Sequence, residues 1–281
     1  MLGTNLMGIF FAVASAISWG SGDFSGGQAT RKSHQYQVLM LAAFSGMIFL
    51  AISAIIRGEG LPTRRTIFWA GLAGLAGALG MAALYRALSM GNTASVAPTS
   101  ALTCAALPVI FGLITEGLPQ PVQLSGFGVA FLGIWLVSRS ANAREKIFRE
   151  GMTLAFLSGI GFGGFFIFIA MVEKDQVFIP VLIARCATLI VALIMLRTKR
   201  LAFPGLGSNP RALLAGVLDT GGNVFYLLAT QFTRLDIAAL LSSFYPAMTV
   251  ILAGAVLKEK ITFTQWTGMI LCLVALSLMT L

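Results

Sequence analysis

Ten apolar runs, separated by short breaks that are charged or rich in Pro and Gly, make up this 281-residue chain. A helix needs roughly 20 apolar residues to cross a bilayer core about 30 Å thick, and these runs have that length. Because 57% of the residues are hydrophobic and 10% charged, the polar surface is too small to cover a water-soluble globule. The sequence predicts an all-α integral membrane protein with ten transmembrane helices.

The breaks give approximate bounds for each predicted helix. The ten helices are expected at about Leu6–Gly27, Tyr36–Ile56, Ile67–Leu88, Thr93–Thr115, Val122–Val137, Met152–Val172, Phe178–Leu196, Arg211–Thr230, Ile237–Leu257 and Phe263–Leu281.

The first apolar run recurs 143 positions later, about half the chain length. Its landmarks Gly8, Ala12, Ser15, Ile17 and Gly20 return as Gly151, Ala155, Ser158, Ile160 and Gly163. We therefore predict two five-helix repeats, at residues 1–140 and 141–281. Since five is odd, the second repeat enters the membrane in the opposite sense. Such an inverted-topology repeat is typical of carriers that work by alternating access.

The formal net charge of +9 lies in the breaks and not on one aromatic-rich face. This distribution is expected for loops beside anionic lipid head groups, and it argues against a nucleic-acid partner. Most Lys and Arg lie in loops on the side opposite the termini, so the positive-inside rule places both termini outside the cytoplasm.

No catalytic or cofactor motif emerges from the sequence. The cysteines Cys104, Cys186 and Cys272 have unrelated spacings, and His34 is the one histidine, so neither a metal site nor a disulfide framework is expected. Gly159, Gly161 and Gly164 fit G-x-G-x-x-G, but no strand precedes them. Close helix packing explains these glycines better than a dinucleotide does. The sequence predicts no enzyme activity, no metal and no cofactor.

The stretch Leu241–Leu276 carries the motif of a known family. It has a proline within the ninth helix, a glutamate at its end and a Gln-Trp-x-Gly entry to the tenth: Pro246, Glu259, Gln265, Trp266 and Gly268. In these residues the chain resembles the drug/metabolite transporter superfamily in its ten-helix form with two EamA repeats, and more loosely the YddG-like amino-acid exporter branch. The resemblance implies a membrane transporter with both termini in the cytoplasm, the opposite of the charge-based orientation.

Two charged residues lie deep within predicted helices, where charge is costly and therefore informative. Arg185 and Asp219 lie at similar depths in neighbouring helices seven and eight, so we expect them to form an ion pair or to face a wet cavity. Two interpretations remain open. The functional one is a substrate site or a proton-coupling element, and the structural one is a clamp that holds the two helices together. Asp23 and Arg86 lie nearer helix ends, where snorkelling favours structural roles.

Polar and aromatic residues in helices one, three, six, seven, eight and nine are the candidates for a substrate cavity, as the family resemblance implies for most of these helices. They are Trp19, Tyr85, Phe162, Arg185, Asp219, Asn223, Tyr226, Ser242, Ser243 and Tyr245. Four prolines are candidate hinges or gates, because a proline frees a backbone carbonyl and bends a helix. They are Pro98, Pro108, Pro180 and Pro246.

The sequence thus predicts an inner-membrane secondary carrier that exports small metabolites, with amino acids, including aromatic ones, as the first expected substrates. Its expected partners are a small-molecule substrate and the lipid bilayer; the oligomeric state is left open. Two alternatives remain: an exporter of drugs or of another metabolite such as a sugar derivative or nucleoside, and a membrane scaffold or receptor without flux.

Overall fold

A computed structural model describes residues 2–88, 93–138 and 149–280. These residues form eleven helices and no strand. The helices are α1 (Leu2–Thr30), α2 (Gln35–Arg57), α3 (Arg64–Leu88), α4 (Thr93–Thr115), α5 (Pro121–Ser138), α6 (Arg149–Ala170), α7 (Phe178–Thr198), α8 (Pro210–Phe232), α9 (Leu235–Ser242), α10 (Tyr245–Leu257) and α11 (Phe263–Thr280). Within this part of the chain, ten spans are long and apolar enough to cross a membrane, as predicted.

The ninth predicted helix is broken into α9 and α10 at Ser243 and Phe244. Pro246 lies in the first turn of α10, where its missing N–H is not needed. An unbroken helix would instead require that N–H and would bring the proline ring against the preceding turn. The span predicted over Ile237–Leu257 is present as Leu235–Leu257, and the proline accounts for the break within it.

The two repeats pack into each other around a pseudo-twofold axis. Helix α1 lies along α8, and its repeat counterpart α6 lies along α3, the counterpart of α8. Ser15 donates a hydrogen bond to the Gly222 carbonyl at 2.8 Å, while the equivalent Ser158 is 3.0 Å from Ser100 on α4. The inverted repeat predicted from the sequence is thus present as interlocked halves, in which each repeat completes the packing of the other.

Glycines allow two of these helices to touch. A Cβ on Gly161 of α6 would lie 2.6 Å from the Gly80 Cα and 2.7 Å from the Ala76 carbonyl oxygen, both on α3. No side chain fits at that distance, so glycine is required for the crossing. Gly71 on α3 faces no atom within 4 Å. On α3, glycine is therefore needed for close packing at Gly80 and not at Gly71.

The bundle has two loop faces. The termini face carries both chain ends and the loops after α2, α4, α6 and α8. The basic face carries the loops after α1, α7 and α10. The boundary predicted between the repeats, near residue 140, lies outside the described residues.

Candidate functional site

A central cavity of about 300 Å³ lies between the two repeats, a volume suited to a small organic molecule. Helices α1, α3, α4, α6, α7, α8 and α10 contribute to its walls. Six of the residues predicted from the sequence line it: Trp19, Phe162, Arg185, Asp219, Asn223 and Tyr245. The structure thus brings together side chains from five helices that are far apart in the sequence.

An ion pair crosses one wall of the central cavity. The Arg185 guanidinium on α7 contacts the Asp219 carboxylate on α8 and donates a hydrogen bond to the Thr220 hydroxyl at 2.6 Å. The Asn223 amide donates to the Asp219 backbone carbonyl at 2.8 Å. Arg185 is buried, whereas 40% of the Asp219 side chain is exposed to the cavity. The pair therefore both joins two helices and presents polar atoms to a bound molecule.

Aromatic rings line another part of the central cavity. The Trp19 ring stacks on Phe166 with centroids 5.3 Å apart and meets Tyr245 edge-on at 6.4 Å. Phe162 and Phe165 on α6 also line the cavity. Sequence reasoning missed Phe165 and Phe166. The repeat offset could have found the second, because Phe166 is the counterpart of Asp23.

Three predicted site residues lie behind the cavity wall instead of lining it. Tyr226 is fully buried, stacks on Phe166 at 4.5 Å and donates to the Phe166 carbonyl at 3.0 Å. Ser242 and Ser243 are also buried and donate to the Ala12 and Ala239 carbonyls. Burial in lipid requires such internal partners. These three side chains support the wall. The side chain of Tyr85, another predicted site residue, lies outside the described residues.

Asp23 was assigned to a structural role near a helix end, yet it points into open space. Helix α1 continues to Thr30, so Asp23 lies well inside it. Its exposed side chain lines the central cavity and also a second cavity of about 410 Å³, the side cavity, whose other lining residues include Pro246, Thr249, Glu259 and Gln265. Tyr245 is likewise shared by both cavities. The two cavities therefore meet at Asp23 and Tyr245.

The side cavity leads toward the basic face. It is lined by Ser138 at the end of α5 and by Glu259 and Lys260 in the loop after α10. At that face Arg31 lies 3.8 Å from Glu259, with both side chains more than half exposed. Exposed pairs of this kind contribute little stability. The same face also has a buried contact between the repeats, in which the Asn209 amide donates to the Ala29 carbonyl at 2.9 Å and to the Ser33 hydroxyl at 3.0 Å.

The termini face carries a charged contact between the repeats. The Glu59 carboxylate accepts hydrogen bonds from the backbone N–H groups of Val177, Phe178 and Ile179 at 2.8 to 3.0 Å. These groups form the first turn of α7, where unpaired N–H groups favour a carboxylate. An acid of the first repeat thus caps a helix of the second.

A second contact of the same kind lies beside it. Glu116 accepts from the Leu235 N–H at 3.2 Å, and Arg234 bridges the Gly117 carbonyl at 2.6 Å and the fully buried Asp236 at 2.7 Å. Burial raises the pKa of the Glu116 carboxyl, although the hydrogen bond from Leu235 lowers it. Together with Glu59, this network seals the termini face.

Replacing Glu59 with alanine is expected to open that face more often. Loss of about 1.4 kcal/mol of closing free energy raises the open population tenfold. We therefore expect a cysteine placed at the cavity residue Thr188, in a chain without native cysteines, to react about tenfold faster with a membrane-impermeant maleimide added at the termini face.

Glu173→Ala is the matched control, because Glu173 lies in the same loop as Val177 and its side chain makes no hydrogen bond or ion pair within the described chain. Equal labelling rates in the Glu59 and Glu173 variants would show that Glu59 does not hold the face closed.

In residues 2–88, 93–138 and 149–280, no group of three or more His, Cys, Asp or Glu side chains could hold a metal ion. The arrangement is a cavity of a size suited to a small molecule, with an aromatic wall and an ion pair. Sequence comparison agrees with this geometry. The model of the EamA-like transporter family matches residues 6–139 and 149–281. The chain belongs to the EamA-like transporter family.

This EamA protein is similar to one curated protein over part of its length. Protein LicB of Haemophilus influenzae is 32% identical over 103 residues, which make up 36% of this chain and 34% of LicB. The match thus spans about a third of that relative's length. One solved crystal structure superimposes with a TM-score of 0.76 at 16% sequence identity, covering 98% of both chains. That likeness shows the fold alone. The family and the ten apolar spans together make the chain a multi-pass membrane transporter of small solutes.

The four candidate hinge prolines differ in surroundings. Pro98 and Pro108 lie inside α4, and Pro180 is buried in the first turn of α7. Pro246 begins α10 at the break in the ninth span and lines the side cavity. Of the four, Pro246 alone combines a helix break with a position on a cavity wall in the described structure. Its predicted role as a hinge remains a prediction.

Proposed function

We propose that this chain is a secondary carrier of the inner membrane that exports small amino-bearing metabolites, amino acids first among them, by alternating access around the central cavity. The observation that carries this proposal is the cavity itself, in which aromatic rings face an ion pair and an exposed carboxylate. An apolar body and an amino group find complementary surfaces there. The inverted repeats supply two similar halves that can exchange conformations.

Flux through the purified protein tests the proposal. We expect proteoliposomes that contain the full chain to release preloaded radiolabelled amino acids or amines faster than protein-free liposomes. If no amino-bearing solute moves but nucleosides, sugar derivatives or drugs do, the alternative exporter function is supported. If no solute of any class moves, a scaffold or receptor function replaces transport.

Pro246→Ala is expected to slow transport more than it weakens substrate binding. Alanine restores the backbone N–H and allows α9 and α10 to join, which removes the break without changing the carboxylates or rings of the central cavity. We expect the maximal flux to fall about tenfold while the Kd changes by less than about threefold. Flux and equilibrium binding on the same preparation measure both. Pro204→Ala, in the loop after α7, is the control; a Pro246 variant with weaker binding and unchanged maximal flux would contradict a hinge.

A further inference from the structure

The central cavity is lined by more acidic than basic side chains. Its acidic and basic side chains are Asp23, Arg185 and Asp219. The Arg185 Nη2 group is already bonded to Asp219 and Thr220, and the arginine is only 8% exposed. A carboxylate that enters the cavity would have to compete with Asp219 for this buried cation. The cavity therefore offers no uncompensated positive group to an anion.

Asp23 is in the opposite situation. Within the described residues it takes part in no hydrogen bond and no ion pair, and its side chain is exposed where the two cavities meet. One carboxyl group of the cavity is thus left without a basic partner. A charge in the membrane interior is costly unless a counter-charge or water satisfies it. A bound cation would be such a counter-charge.

Aromatic faces surround the same place. Trp19 precedes Asp23 by four residues, so both side chains lie on one face of α1. Tyr245 lines both cavities with Asp23 and meets Trp19 edge-on. The faces of Trp and Tyr rings attract ammonium groups, and the attraction grows when water is displaced.

The difference between the two repeats at these positions also favours binding of a cationic solute. At the offset of 143 residues, Asp23 corresponds to Phe166 and Trp19 to Phe162. The second repeat thus contributes only rings where the first contributes an acid and an indole. The cavity has one acidic wall and one apolar wall, which suits a solute with a cationic end and an apolar body.

We infer that Asp23, with the rings of Trp19 and Tyr245, binds the ammonium group of the transported solute, and that the cavity prefers an organic monocation to the matching zwitterion. This inference rests on the proposed transport function, and within it places amines and quaternary ammonium compounds ahead of the zwitterionic amino acids. Arg185 and Asp219 then shape the cavity without binding a substrate carboxylate.

Two probes with the same apolar body test the inference on the unaltered chain. Benzyltrimethylammonium is a permanent monocation, and phenylalanine is a zwitterion at pH 7. We expect the purified chain in detergent to bind the cation at least about tenfold more tightly in a calorimetric titration. Equal or tighter binding of phenylalanine would overturn the inference without the need for any variant.

Substitutions then test Asp23 itself. Asp23→Asn keeps the shape and removes the charge, so the Kd for benzyltrimethylammonium should rise at least about tenfold. Asp23→Glu should keep the Kd within about threefold. Trp19→Phe, which copies the second repeat, should raise it about threefold, because phenylalanine attracts cations less strongly. Asp175→Asn, in the loop before α7, changes net charge equally outside both cavities and should leave the Kd unchanged.

Unaltered cation binding in a folded Asp23→Asn variant would overturn the role of Asp23. Thermal melting of the variant shows whether it is folded, and the charge-conserving Asp23→Glu variant provides the measurement if it is not. Proteoliposome flux separates this inference from the proposed function. Flux of phenylalanine without flux of the cation refutes the inference and leaves transport intact, whereas flux of no solute refutes transport.

Discussion

Arg185→Ala is expected to reduce flux by about a hundredfold and to lower the melting temperature of the protein. The substitution leaves Asp219 and Thr220 without the guanidinium that they contact on α7. Removing one partner of a buried ion pair costs about 3–5 kcal/mol. Because 40% of the Asp219 side chain is exposed to the cavity, the lower end of that range is expected. A loss of about 3 kcal/mol corresponds to a change of slightly more than a hundredfold.

Companion variants separate a clamp from a substrate site. Arg185→Ala combined with Asp219→Asn removes both charges, so its melting temperature should exceed that of Arg185→Ala alone. If the pair is a clamp, flux recovers with stability; if it takes part in binding or coupling, stability recovers and flux does not. Arg185→Lys keeps the positive charge but loses the planar guanidinium that contacts both Asp219 and Thr220, so an intermediate flux is expected. Normal flux in well-expressed Arg185→Ala and Asp219→Asn variants would refute a functional role for both residues.

Gly161→Ala is expected to destabilise the protein by about 2–3 kcal/mol. The added methyl group would lie 2.6 Å from the Gly80 Cα, and backbone atoms cannot move aside as a flexible side chain can. Overpacking of this kind costs about 1–3 kcal/mol even where side chains can adjust. Helices α3 and α6 would have to separate along a crossing that also positions Phe162 and Phe165 in the cavity. We therefore expect weaker ligand binding as well as a lower melting temperature.

Gly71→Ala is the matched control, because it adds the same methyl group to α3 at a position with no atom within 4 Å. Alanine is also the better helix former by about 1 kcal/mol, so this variant should melt at or above the temperature of the unaltered protein. Thermal melting in one detergent compares the two. A Gly161 variant as stable as the Gly71 variant would show that the crossing tolerates a side chain.

The spans and the repeat could be predicted because lipid imposes a fixed length and because the landmarks of α1 return in α6. The contact between Arg185 and Asp219 followed from their similar depth in adjacent helices. The sequence placed Asp23 near a helix end because it did not show that α1 continues to Thr30, and the residue lies well inside the helix. The location of Tyr226 behind Phe166 depends on how helices rotate about their axes, and no periodicity in these uniformly apolar segments fixes that rotation.

The contact between Glu59 and the N-terminus of α7 bears on the rates of transport in the two directions across the membrane. Helix α7 begins at Phe178, and its counterpart in the first repeat, α2, begins at Gln35. The N-terminus of α2 is capped from within its own repeat, because the ring of the preceding residue, His34, accepts a hydrogen bond from the Tyr36 N–H at 3.3 Å. The position equivalent to Glu59 is Ala202, whose backbone carbonyl accepts one hydrogen bond from the Gln37 amide at 2.9 Å. The basic face thus has a single neutral contact at the place where, on the termini face, a carboxylate accepts from three backbone N–H groups. The two closed forms of the empty carrier then differ in free energy, and each 1.4 kcal/mol between them is a tenfold bias. For the proposed alternating-access carrier we therefore expect KM and maximal rate to differ between the two sides of the membrane, even though the two repeats share one fold.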